Sequence, residues 1–126
     1  MKLFTLLSGA TFGLISIILG AFGAHAFKKI LPAEGLSSFE TGVRYQMYGA
    51  LFLLLVGYMF KFDSASEKWM SAMMVTGIVL FSFSIYFLAF QQQLGVNLRF
   101  LGPITPLGGL LMILSWCTLI YLIIKR

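Results

Sequence analysis

Four apolar runs, at about residues 3–26, 45–62, 69–90 and 103–124, take up most of a 126-residue chain and decide what it can fold into. Each has roughly the 18 to 25 residues that a helix needs to cross a hydrocarbon layer about 30 Å thick. Backbone N–H and C=O groups find no water in that layer, so such runs span it as helices that satisfy their own hydrogen bonds. The expected fold is all-α: an integral membrane four-helix bundle forming a single membrane domain over residues 1–126. Only three short connections and two short ends remain, so no separate soluble catalytic domain is expected, and any site is expected in the helices and their loops.

With 60% hydrophobic and 10% charged residues, the formal charge of +5 is spread thinly over helix ends. It forms no basic block, so membrane anchoring explains it and nucleic acid does not. Cys117 is the only cysteine, which excludes an internal disulfide and a CxxC redox pair. Ala24-His25-Ala26 resembles a signal-peptidase site. The preceding apolar stretch is longer than the roughly 7–15 residues of a signal sequence, however, and Lys28-Lys29 follows it as a stop-transfer flank, so the first helix is expected to stay.

Within the first run, Gly9, Gly13, Ser16, Gly20, Gly23 and Ala24 form a small-residue stripe at helical spacing. Lipid gives helices little hydrophobic reason to associate, and small residues let backbones approach. The stripe is expected to pack on another helix, with Gly13→Leu and Gly20→Leu disrupting assembly. Between the first two runs, Leu36, Phe39 and Val43 stand opposite Glu34, Ser37, Ser38, Glu40 and Thr41, with Pro32 before them. This spacing predicts a short amphipathic interfacial helix between helices 1 and 2. The second connection, Lys61 to Lys68, reads as a polar turn in water, and Pro103 and Pro106 open the last helix.

Four spans put both termini on one side, with Lys2, Lys61, Lys68, Lys125 and Arg126 there against Lys28, Lys29, Arg44 and Arg99 on the other. By the positive-inside rule both termini are expected in the cytoplasm of a bacterial (inner) membrane protein. The same connectivity gathers His25, Arg44, Gln46, Tyr48, Ser84, Tyr86 and Thr105 at the opposite face, while the other half of the bundle is almost purely apolar. Polar residues concentrated at one end of membrane helices mark a functional site. The candidate ligand-binding residues are therefore His25, Arg44, Gln46, Tyr48, Tyr86 and Thr105; the candidate packing residues are Gly9, Gly13, Ser16, Gly20 and Gly23.

Gly20-Ala-Phe-Gly-Ala-His25, Tyr45-Gln-Met-Tyr48, Leu80-Phe-Ser-Phe-Ser-Ile-Tyr86 and Ile104-Thr-Pro-Leu-Gly-Gly109 follow one another in order. In order and spacing they resemble the motifs of the small YgdD/YwdK-like bacterial membrane proteins, a domain of unknown function, number 423, with small eukaryotic TMEM-type relatives. The resemblance covers nearly the whole chain and implies a four-helix inner-membrane protein without an established activity. The chain departs from that pattern at Gly49, where the family has a histidine, and at Phe83, where it has a glycine.

One histidine, one cysteine and no acidic residue within a span leave a metal or haem site without ligands, so no cofactor is expected. His25, Tyr48, Tyr86 and Thr105 match no catalytic triad. The expected function is that of a non-enzymatic accessory protein binding membrane lipids or a protein partner, with a homo-oligomer among its assemblies and no nucleic acid. Arg44, whose planar guanidinium suits phosphate, is the expected lipid contact. A small oligomeric transporter or channel is the alternative, and an enzyme acting on lipid or quinone ranks below it.

Overall fold

The structure, a computed structural model, describes residues 1–125. Among these there are no strands. Helix α1 (Lys2–His25) leads through a 3-10 turn (Phe27–Lys29) to α2 (Ala33–Met59). Helix α3 (Ala65–Ala89) follows, with a π-helical segment at Val79–Phe83. A short α4 (Gln91–Leu94) and a 3-10 turn (Arg99–Leu101) then lead into α5 (Ile104–Lys125). Helix α1 packs along α2 and α3 along α5, and the two pairs meet through α2 and α3.

The surface is apolar where that of a protein in water would be polar, and several polar side chains are buried within the apolar core. Leu7, Leu14 and Ile17 of α1, Leu51 and Leu55 of α2, and Ile113, Ile120 and Ile124 of α5 are exposed, whereas Thr5, Ser16, Gln46, Ser71, Ser82 and Ser115 are buried. The buried polar groups link helices. Thr5 and Ser71 hydroxyls lie 2.6 Å apart, and Ser115 donates to the Met70 carbonyl at 2.6 Å. No buried side-chain N or O among the described residues lacks a partner, which an apolar surrounding demands.

Three stretches, Lys2–His25, Ala65–Ala89 and Arg99–Lys125, are long and apolar enough to cross a membrane. Helix α2 falls short by composition because Glu34, Glu40, Arg44 and Gln46 lie in it. Hydropathy counts Gln46 as polar wherever it points, although its side chain is fully buried and hydrogen-bonded.

The separate interfacial helix expected between the first two spans is absent: residues 33–43 continue without a break into α2. Pro32 stands at its N-cap with extended φ/ψ, a natural start, and nothing in the sequence interrupts the helix before Met59. The amphipathic stripe covers protein rather than lipid. Phe39 is 2% exposed and its ring meets Phe27, Tyr86 and Phe90 with centroids 5.1, 5.2 and 5.9 Å away.

The small-residue seam also shifts. Thr5, Gly9, Ser16 and Gly23 are the small buried positions of α1, while Gly20 is exposed. A Cβ on Gly9 would lie 3.0 Å from the Ala50 carbonyl oxygen, and one on Gly23 would lie 2.9 Å from the Phe39 ring. At Gly13 and Gly20 the nearest atoms are 3.8 and 3.7 Å away, ordinary contacts. Close approach is therefore set at the two ends of the seam, with Gly13 and Gly20 looser than expected.

At the end holding both termini, the Lys2 ammonium donates to the carbonyls of Gly57 (2.5 Å) and Phe60 (3.2 Å), capping the C-terminus of α2 with positive charge. The turn to α3 is less polar than its composition suggests. Phe60 and Phe62 are 4% and 5% exposed, and Phe62 has φ 63°, a left-handed conformation that bulky residues rarely adopt and that burial of the ring maintains. Ser64 and Glu67 form a reciprocal capping box that starts α3.

Candidate functional site

The polar half centres on the π-helical segment of α3. Ser82 and Ser84 are two residues apart, which on a helix turns side chains about 200° apart, so they address different neighbours. Ser82 donates to the Gly42 carbonyl of α2 at 2.8 Å, whereas Ser84 lies 2.5 Å from the Thr105 hydroxyl of α5 and also donates to the Phe81 carbonyl at 2.9 Å. One turn beyond Ser82, the Tyr86 hydroxyl donates to Gln46 Oε1 at 2.6 Å, and Gln46 Nε2 donates to the Phe12 carbonyl at 2.9 Å. Ser16 adds a second side-chain donor to the Phe12 carbonyl at 2.7 Å. The chain of bonds thus ties α3 to α2 and α2 to α1, at a widened turn of a kind that recurs at functional positions.

Glycines permit this geometry. A Cβ on Gly42 would stand 2.7 Å from the Tyr86 ring. On the other side of α3, a Cβ on Gly108 would fall 2.4 Å from the Phe81 backbone nitrogen and 2.9 Å from the Gly77 carbonyl oxygen, so α5 rests directly on the α3 backbone.

Beside this network lies a cleft of about 550 Å³ between the start of α2, the end of α3 and the start of α5. Ile85, Leu88, Ala89 and Pro106 give it an apolar wall, and Glu34, Ser38, Gln91, Gln92 and Thr105 give it polar groups. Gln91 Oε1 also accepts from the Leu98 N–H at 3.1 Å and Gln93 Nε2 donates to the Ile30 carbonyl at 3.2 Å, which holds the α3–α5 connection over the cleft.

The expected site residues divide into two groups. Gln46 and Tyr86 bond to each other, and Thr105 both bonds to Ser84 and lines the cleft. His25, Arg44 and Tyr48 are exposed and do not line it. His25 borders a shallow apolar hollow with Ile17, Ile18, Ala21 and Phe22. Arg44 donates to Thr41 Oγ1 at 3.1 Å on the outer face, and Tyr48 stacks edge-on against Tyr45 at 5.4 Å. Sequence reasoning missed Glu34, Ser38, Gln91 and Gln92, because the first two belong to the expected interfacial helix and the other two lie in the connection after the third apolar run. Ser82 carried a signal that could have found it: its spacing of four from Tyr86 puts both on the face toward α2. Among the described residues no group of His, Cys, Asp and Glu could hold a metal ion.

The model of a family described as "Protein of unknown function (DUF423)" matches residues 19–109, which include the Gln46–Tyr86 bond, the π-helical segment and Gly108. The chain belongs to the DUF423 family. Among similar proteins, the UPF0382 membrane protein SH2409 of Staphylococcus haemolyticus is 42% identical over 95% of this chain and 93% of its own length. The UPF0382 membrane protein YwdK of Bacillus subtilis is 40% identical over 99% and 98%. A UPF0382 membrane protein of Haemophilus influenzae is 36% identical over 86% and 84%. These relatives are named as membrane proteins, in keeping with the three apolar helices found here. No solved structure matches this chain.

Gly49 and Phe83, the two positions expected to depart from the family's motifs, make different contacts. A Cβ on Gly49 would meet Ile78 Cδ1 at 2.5 Å and Met74 Sδ at 3.2 Å, so Ile78 fills the space a larger residue would need. Phe83 instead packs its ring on Phe12 and Tyr86, with centroids 6.3 and 5.8 Å away.

Proposed function

We propose that this protein is a four-span membrane protein, both termini in the cytoplasm, that acts without catalysis by holding a membrane lipid in the cleft between α2, α3 and α5. The observation that carries this reading is the make-up of the cleft. Its apolar wall of Ile85, Leu88 and Pro106 suits acyl or glycerol carbons, and Glu34, Ser38, Gln91 and Gln92 suit a headgroup. The fourth span in this reading is α2 over residues 42–59, in which the exposed Arg44 reaches back to the interface and the buried Gln46, bonded through both its Nε2 and its Oε1, can lie at membrane depth. Exposed Tyr58, Trp69 and Tyr121 at the other end fit an aromatic belt at the second interface.

Native mass spectrometry of protein released in mild detergent tests the reading. Wild type is expected to retain one phospholipid per chain. Ser38→Trp, which places an indole at an exposed cleft-lining position without touching the core, is expected to lose it. Equal lipid retention in both proteins would contradict the cleft as the site, and a stable complex with a second protein in place of lipid would make the chain a subunit.

A further inference from the structure

The geometry points to Glu34 as the group that recognises the primary ammonium of an amphiphile seated in the cleft; this rests on the lipid-binding reading and names the headgroup class. The chain has nine basic residues against four acidic ones, yet among the described residues no lysine or arginine lines the cleft and Glu34 is its one charged side chain. Among the described residues the Glu34 carboxylate has no hydrogen-bond or ion-pair partner. The same lining includes Gln91, Gln92 and Ser38, whose side-chain oxygens are neutral acceptors. An R–NH3⁺ group has three N–H donors and no acceptor, so a carboxylate with amide and hydroxyl oxygens meets its requirements. A trimethylammonium headgroup has no N–H to donate, and an anionic glycerol headgroup brings like charge to the carboxylate. The ligand is thus an amphiphile of the phosphatidylethanolamine type, with phosphatidylcholine weaker and phosphatidylglycerol weakest.

Glu34 also stands in the first turn of α2, where any carboxylate favours the helix N-terminus. That structural role carries no headgroup preference, which gives the test its discriminating readout. Wild type, Glu34→Gln and Glu34→Lys are each equilibrated with equimolar phosphatidylethanolamine, phosphatidylcholine and phosphatidylglycerol in mixed micelles, and retained lipid is weighed by native mass spectrometry. Wild type is expected to favour phosphatidylethanolamine over phosphatidylglycerol about tenfold, the range of one charge-assisted hydrogen bond. Glu34→Gln is expected to lose most of that preference and Glu34→Lys to reverse it. Retention of lipid by wild type without headgroup preference, or an unchanged preference in Glu34→Gln, overturns the assignment of Glu34 while leaving a lipid site standing. A parallel arm with soluble phosphoethanolamine separates the sources. If it binds wild type but not Glu34→Gln and no lipid is retained, the ammonium assignment holds and the lipid reading fails. If wild type holds neither lipid nor phosphoethanolamine, both fail.

Discussion

Gly108→Ala is expected to abolish native packing of α5 on α3, while Gly109→Ala, one residue on, leaves it intact. A Cβ at 108 would sit 2.4 Å from the Phe81 nitrogen and 2.8 Å from the Leu80 carbonyl carbon, both backbone atoms of the π-helical segment, which cannot rotate aside. At 109 the nearest atom is Phe81 Cδ1 at 3.4 Å, an ordinary contact with a ring that can shift. Overpacking a core ordinarily costs about 1–3 kcal/mol, and with backbone on both sides the loss for Gly108→Ala is expected at about 3 kcal/mol or more. Denaturant titration in detergent, followed by tryptophan emission, reads the difference: Trp116 lies on α5 with its ring 4.7 Å from Phe52. A Gly108→Ala protein as stable as Gly109→Ala would mean that α5 does not lie on the α3 backbone.

Gln46→Leu is the second large effect. The substitution keeps apolar volume but strips the Tyr86 hydroxyl of its acceptor at 2.6 Å and the Phe12 carbonyl of a donor at 2.9 Å. Interhelical hydrogen bonds in membrane proteins are individually modest, and a buried hydroxyl left without its acceptor adds its desolvation cost. The expected loss is about 2 kcal/mol. Tyr86→Phe removes the stranded hydroxyl, so the double variant is expected to be more stable than the two single losses added together. Additive losses would show that the two side chains are not coupled.

These two sites also show what the sequence could and could not reveal. Gln46, Tyr86 and Thr105 were placed at one end by connectivity alone, because antiparallel helices joined by short loops bring those positions level. Which of the polar residues face inward was not legible. Gln46 and Arg44 are two residues apart on α2, so they point to opposite sides; the glutamine is buried and the arginine is exposed on the outer face. The Phe39 stripe was legible as amphipathic, but periodicity does not say whether an apolar face meets lipid or protein, and here Phe27, Tyr86 and Phe90 cover it. The π-helical turn was beyond reach for a different reason: no residue pattern marks it, and the α5 backbone that lies against its Leu80 and Phe81 comes from residues far apart in sequence. The cleft was hidden likewise, since its walls come from three helices that are separate in the chain.

The cleft's occupancy is tested most directly by placing a photoreactive benzoylphenylalanine at Ser38, which lines the cleft, and in a second protein at Tyr48, which is exposed elsewhere on α2. Each protein is irradiated after extensive detergent washing has removed loosely held lipid, and the covalent adduct is identified by mass. A phospholipid adduct at position 38 and none at position 48 is the predicted result. No lipid adduct at position 38, or equal adducts at both positions, would contradict a lipid held in the cleft.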